Sequence, residues 1–301
     1  MGSFEAFQAL PHAITLLGMS GVGKTVLSTS LRRSANWFHY SADYRIGTRY
    51  LAEHILDNIK FKIMSMADRF VADLLRSDSI YIEHNISVDN LEPVSTFLGM
   101  YGDPASGGLD MQTFLHRQRL YRDAEIQSML DVPDFIAKGW RLYGCESFVN
   151  DASGSLCEVV DLEDPEDPVL ERLTAHSLIV YIRADAAFEE TLKERARTHP
   201  KPLFYNPDFL MPRLKGMPED GADIDPVGFA RPLFPELLAF RRPRYERLAR
   251  YGLALETADV FPKNGIPDAD RFLATLWEHG GDRLEGYIGL CERRRAERKG
   301  G

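Results

Sequence analysis

Cysteine is scarce in this chain of 301 residues: Cys145, Cys157 and Cys291 are its three thiols. They form no CxxC pair and no His/Cys set at zinc spacing, and an odd number suggests no disulfide framework. No apolar stretch reaches the ~20 residues that a membrane span needs. No basic-then-apolar segment opens the chain, so a cytoplasmic protein with no membrane partner is expected. A basic excess is missing as well. The 45 acidic residues outnumber the 36 basic ones, for a net charge of -9. That sign opposes broad nucleic-acid binding, which needs a basic surface to neutralise phosphates, and leaves room only for a local basic groove. There is no internal repeat, no low-complexity block before the C-terminal tail, and no guanine-reading NKxD motif.

What is present is an ordinary globular composition, 44% hydrophobic and 27% charged, long enough for one large domain or two modest ones. Ala13–Leu17 reads as a buried strand, Val22 to Arg33 as the helix after it, and Asn36–Tyr40 as a second strand. A helical region is expected over 48–76, a short strand at Ser79–Ile82, a turn at Pro104–Gly108 and an amphipathic helix from Leu109 onward. Further strands are expected at Ser147–Asn150, Ser177–Ile182 and Gly252–Ala258, with a closing helix from Ala269 to His279. The proline-rich stretch 198–233 reads as loop. The alternation predicts an α/β class with a mainly parallel sheet. The expected layout is a single domain over 1–290, with insertions at 53–108 and 205–233 and a charged, disordered tail at 291–301.

The most specific motif is Gly18-Met19-Ser20-Gly21-Val22-Gly23-Lys24-Thr25, a GxxxxGK[ST] loop between a strand and a helix. Glycines let the backbone wrap phosphate oxygens with its N–H groups pointing inward, and the helix N-terminus adds its positive end. In such a loop Lys24 reaches the β- and γ-phosphates and the Thr25 hydroxyl binds Mg²⁺. The motif implies a P-loop NTPase that binds a nucleoside triphosphate, without saying what becomes of it.

A helical projection of 110–130 at 100° per residue gathers Met111, Phe114, Leu115, Tyr121, Ile126 and Met129 on one face. Gln118, Arg122 and Glu125 fall in the middle of that face, where polar groups must pair or meet a ligand. Arg122 and Glu125, three residues apart, can pair with each other, so a structural ion pair and a ligand site both stay open.

Later segments resemble, in the same order, the shikimate kinase and gluconate kinase branch of small-molecule kinases. Tyr40-Ser41-Ala42-Asp43 is similar to the DxD-like end of the strand after the P-loop helix, with Ser41 in place of the first carboxylate. Tyr121-Arg122-Asp-Ala-Glu125 resembles the FRxxE segment, whose arginine binds the substrate carboxylate. Phe148-Val-Asn-Asp151-Ala-Ser153-Gly154-Ser155 places a carboxylate at a strand end, followed by Ser-Gly-Ser where the branch has a substrate-touching glycine triplet. Helix capping is the alternative role for Asp43, Asp151 and Ser153. Leu178–Asp185, then Arg195, Arg197 and Lys201, resembles the strand, helix and basic lid that closes over the transferring phosphate. Phe240 to Ala249 resembles a structural helix near the end of these kinases. The patches cover about half of the chain, and the two insertions have no counterpart in the compact kinases.

The resemblance implies a three-layer, nucleotide-kinase-like fold and a phosphotransferase using ATP and Mg²⁺ on a small hydroxylated acceptor. Lys24, Arg195, Arg197 and Lys201 would bind the donor phosphates, and Thr25 and Asp151 the metal. Asp43 would receive or orient the acceptor hydroxyl, while Arg122, Glu125, Ser153, Gly154 and Ser155 would contact the acceptor. The alternative is an ATPase that drives or switches a protein partner through the insertions. A regulatory nucleotide-binding module without turnover is disfavoured by the intact Lys24 and Thr25.

Overall fold

The computed structural model describes residues 3–66, 69–164, 166–261 and 265–300. Five strands form one sheet: β1 (Ala13–Leu17), β2 (Trp37–Ser41), β3 (Ser147–Asp151), β4 (Leu178–Arg183) and β5 (Leu253–Glu256). All pairings are parallel, in the order β2-β3-β1-β4-β5. The central strands read as continuous apolar runs because helices cover both faces of the sheet. Alternate side chains point to opposite layers. Ile14, Leu16, Val149, Val180, Ile182, Leu253 and Leu255 meet one helical layer, through Leu27 and Leu31 of α1 (Lys24–Ser34) and Phe272 and Leu276 of α2 (Ala269–Gly280). On the other face Phe38 and Phe148 stack, and Phe38 and Tyr40 pack against Phe135 of helix Val132–Tyr143. Tyr181 there stacks at 5.1 Å on Tyr245 of the helix Pro226–Leu248. The result is a three-layer α/β fold of the P-loop NTPase, nucleotide-kinase-like type.

The chain divides into two compact units, where one domain with two insertions was expected. The first comprises 1–42, 128–198 and 234–301 and contains the whole sheet; the second comprises 43–127 and 199–233. Both insertions lie inside the second unit.

Four local expectations need correction. Ser79–Ile82 forms no strand, and Tyr81 stands 81% exposed. A strand needs a ladder partner, and the second unit shows only the isolated bridges Ser87–Asn90 and Tyr101–Leu109 among its described residues. The stretch 198–233 is partly helical: Pro207–Leu214 and the start of Pro226–Leu248 fall within it. Proline suits a first helical turn, and Asn206 caps that turn by accepting from Asp208 N at 2.8 Å. The helix after the phosphate loop begins at Lys24, not Val22, because the loop's left-handed glycines run through Gly23. Finally, the charged tail is helical from Leu284 to Gly300, with Cys291 and Arg294 buried. Arg294 donates to the carbonyls of Pro11 (2.9 Å) and His176 (2.7 Å), and Arg298 donates to Glu146 O (2.7 Å) and covers the Trp140 ring. Gly301 lies outside the described residues. No helix among the described residues is long and apolar enough to cross a membrane.

Candidate nucleotide-binding site

The loop after β1 leaves the central strand at the C-terminal edge of the sheet. β2 and β3 lie on one side of β1 and β4 and β5 on the other, and such a reversal of strand order is where open parallel sheets place ligands. Gly18, Gly21 and Gly23 have φ of 147°, 88° and 101°, in the region that favours glycine. Packing adds a second requirement. A Cβ on Gly18 would lie 2.8 Å from Ile182 O, and one on Gly23 2.5 Å from the Phe261 ring. Gly23 precedes α1 and places no side-chain cap on it, so the first N–H groups of that helix keep their positive end. Lys24 is 6% exposed, and its ammonium donates to Gly18 O (2.7 Å) and Met19 O (3.2 Å). It holds the loop wrapped around its own tip. Thr25 is exposed beside it, Ser20 and Gly21 are exposed, and Met19 and Val22 anchor the loop in the core.

The end of β3 closes in on this loop. Asp151 stands in register with Leu16 on one side and Ser41 on the other. Ser41 and Asp151 therefore sit side by side at the sheet edge, and Asp151 is the carboxylate of that pair. Its Oδ2 lies 3.5 Å from His39 Nε2, and both side chains are nearly buried. Among the described residues that imidazole nitrogen makes no hydrogen bond. Ser153 and Ser155 are buried, with their hydroxyls 3.2 Å apart and Ser155 N donating to Ser153 Oγ. A Cβ on Gly154 would stand 2.8 Å from Ser20 N, so this glycine permits direct backbone packing against the phosphate loop. Ser153, Gly154 and Ser155 are thus brought to the glycine loop.

Tyr245 joins the two segments. It is fully buried, and its hydroxyl donates to Gly154 O at 2.7 Å and to Gly18 O at 3.2 Å. Its helix is fixed by Arg241, which donates to the buried carboxylate of Glu158 (2.6 Å), and by Arg242, which pairs with Glu189. Neither Tyr245 nor Phe261 stood out in the sequence as part of the site. Both meet the loop across more than 200 positions, where no local pattern marks them.

The basic lid candidates are arranged more loosely. The helix Ala186–Thr198 runs beside the loop, with Leu192 at van der Waals distance from where a Gly21 Cβ would be. Arg195 and Arg197 are exposed on it, and Arg197 pairs with Glu194 at 2.7 Å. Lys201 belongs to the second unit, exposed and 3.7 Å from Glu92.

Asp43, Arg122 and Glu125 also belong to the second unit. Asp43 is half-buried, and Tyr121 donates to its Oδ1 at 3.5 Å. The Tyr121 ring stacks on Phe204 at 5.4 Å. Gln118 receives Tyr205 N (2.9 Å) and donates to Leu203 O (3.2 Å), so its burial is explained by holding this segment. Glu125 is fully buried. Arg122, expected inside the same face, is exposed. The buried face of helix Met111–Leu130 is rotated toward Arg117, Ala124 and Ser128, leaving Arg122 at its margin. Arg117 is the buried arginine, donating to Phe97 O and to Asn58 Oδ1 (2.8 Å) and lying over the Phe97 ring.

Among the described residues no cluster of three or more His, Cys, Asp or Glu could hold a metal by itself. A triphosphate with magnesium nevertheless fits the cradle, since Mg²⁺ is commonly held by one or two protein oxygens together with phosphates and water. Glycine backbone, a buried lysine, the Thr25 hydroxyl and the Asp151 carboxylate are the groups that would supply that donor set.

No protein-family model and no curated protein sequence matches the chain. Among solved structures, the chain is similar to the 1.7 Å crystal structure of shikimate kinase from Bacteroides thetaiotaomicron, at 14% identity, with 89% of this chain and 98% of that one covered and a TM-score of 0.38. The fold assignment rests on strand order, parallel pairing and the loop after β1.

Proposed function

We propose that this chain is a Mg-ATP-dependent phosphotransferase acting on a small hydroxylated molecule that carries an anionic part. The observation that carries the reading is the wrapped glycine loop with buried Lys24, backed by Gly154 and Asp151 at the end of the neighbouring strand. ATP supplies the γ-phosphoryl group when bound, and Mg²⁺ neutralises charge on its phosphates. The chain's own part is positioning and charge stabilisation, which is most of what phosphoryl transfer asks of a protein. The loop N–H groups and Lys24 bind phosphate oxygens. Thr25 and Asp151 hold the metal, Asp151 replacing the carboxylate that Ser41 does not provide. Arg195, Arg197 and Lys201 are assigned to the charge that develops on transfer. For the acceptor, Ser153, Gly154 and Ser155 of the first unit are assigned to specificity; within the second unit Asp43 is assigned to a hydroxyl, Arg122 to an anionic part and Glu125 to specificity.

A second reading, an ATPase acting on a protein partner, draws support from apolar side chains of the second unit. Phe61, Met66, Phe70 and Tyr81 are 67%, 63%, 71% and 81% exposed. Isolated exposed apolar residues are ordinary, but four within 21 positions suit a contact surface. One experiment separates the readings. Pure protein is incubated with Mg-ATP alone and then with a metabolite pool, and ADP and new phosphorylated species are followed. The kinase reading expects product that needs both pool and Lys24, and loses it in Lys24→Ala. Rapid hydrolysis without any acceptor, and no phosphorylated product, would refute it.

A further inference from the structure

A cavity of about 520 Å³ opens at the N-terminal edge of the sheet, in the first unit. It lies between the starts of β4 and β5, the end of the helix Pro168–His176, and the helix Leu284–Gly300. The phosphate loop leaves the opposite edge. β4 alone has six residues, so about 20 Å of strand separates the two edges. This cavity is therefore distinct from the nucleotide site.

Its lining has a definite chemistry. Three arginines, Arg250, Arg283 and Arg293, reach it from three separate elements, and none of the lining residues is acidic. Among the described residues none of these guanidiniums has a hydrogen-bond or ion-pair partner, unlike Arg294 and Arg298 on the same helix, which are spent on backbone carbonyls. All three are exposed at the rim, and they line one cavity in a chain of net charge -9. Leu178, Leu290 and the half-exposed Tyr251 give the wall an apolar and aromatic part, beside the hydroxyl-bearing Thr174 and Ser177. Guanidinium forks match phosphate oxygens, and a cavity of this size holds a small metabolite. Gly286 lines the cavity too, and a Cβ added there would meet nothing within 4 Å.

We infer that this cavity is a second ligand site, for a small organophosphate with a flat or apolar body. The three arginines take the phosphate, and Tyr251 and the two leucines take the body. The site stands independently of the kinase reading.

Calorimetric titration with phenyl phosphate at low salt tests it. Binding is expected in the wild type and equally in Lys24→Ala, with inorganic phosphate weaker and phenol not bound. The double variant Arg250→Gln/Arg283→Gln should weaken phenyl phosphate at least tenfold. Gly286→Phe, which adds a ring to the lining and leaves every guanidinium in place, should also weaken it. Both variants alter exposed positions and should keep the wild-type circular dichroism spectrum and melting temperature. Binding lost in Lys24→Ala but kept in the arginine variant would assign the probe to the phosphate loop and overturn the proposal. So would absence of binding to the wild type. The same phosphate chemistry could be offered by a lipid headgroup. Sedimentation with phosphatidic acid vesicles, in place of phenyl phosphate binding, would likewise overturn the small-molecule site.

Discussion

Replacing Tyr245 by phenylalanine should loosen the donor site while leaving the fold intact. The hydroxyl donates to Gly154 O at 2.7 Å and Gly18 O at 3.2 Å, inside a fully buried environment. The two carbonyls are not equally exposed to its loss. Gly18 O keeps the Lys24 ammonium at 2.7 Å, whereas Gly154 O loses its hydroxyl donor. Leaving one buried acceptor without that donor costs about 1–3 kcal/mol. The ring stays, and with it the stacking on Tyr181, so the loss should fall well short of the 3–5 kcal/mol typical of truncating a buried aromatic to alanine. The two carbonyls belong to the loop and to the segment that backs it, so part of this cost should appear as weaker nucleotide binding. A share of about 1.4 kcal/mol is a tenfold rise in Kd. Urea denaturation gives the first quantity, and titration with a fluorescent ATP analogue in Mg²⁺ gives the second. If stability and affinity both stay within about 0.3 kcal/mol of wild type, the hydroxyl does not clasp the two segments and the reasoning fails.

Two further outcomes concern the scaffold. Burial pushes the His12 imidazole down to about 4, against its Phe7 carbonyl partner, which acts the other way. The folded state therefore binds this proton less readily than the unfolded chain. Its stability contribution is full above pH 6.5 and is lost as pH falls toward 4. At about 1.4 kcal/mol per pH unit this amounts to roughly 3 kcal/mol, and the denaturation midpoint of His12→Gln should be flatter than wild type across that window. Glu158→Gln should destabilise by about 3–5 kcal/mol, because Arg241, 4% exposed, loses its counter-charge. Chemical denaturation checks this, and the double variant Glu158→Leu/Arg241→Met should recover most of the loss if unpaired charge is the cause.

The features legible in the sequence are those whose physics is local. The phosphate loop was readable because its glycines serve backbone angles and close approaches within one turn of chain. The five strands were readable as apolar runs between helical segments, and Asp151 as a carboxylate ending one of them. Register then placed Asp151 beside Ser41, an adjacency that spacing alone could not supply. Hydrophobicity misplaced the buried face of helix Met111–Leu130, because Arg117 and Ser128 are buried by specific partners and small size, signals that an apolar pattern ignores. The arginine-rich end was misread for a related reason. Charge at a terminus looks solvated until the fold provides carbonyls for Arg294, a ring for Arg298 and a cavity for Arg293. The sequence by itself therefore determined a P-loop α/β protein and its glycine cradle, since strand, turn and helix are written within a few residues of each other. Only the tertiary structure decided which helix clasps that cradle, which arginine is buried and which arginines line one cavity. Each of those depends on contacts between residues tens to hundreds of positions apart, whose pairing no local pattern encodes.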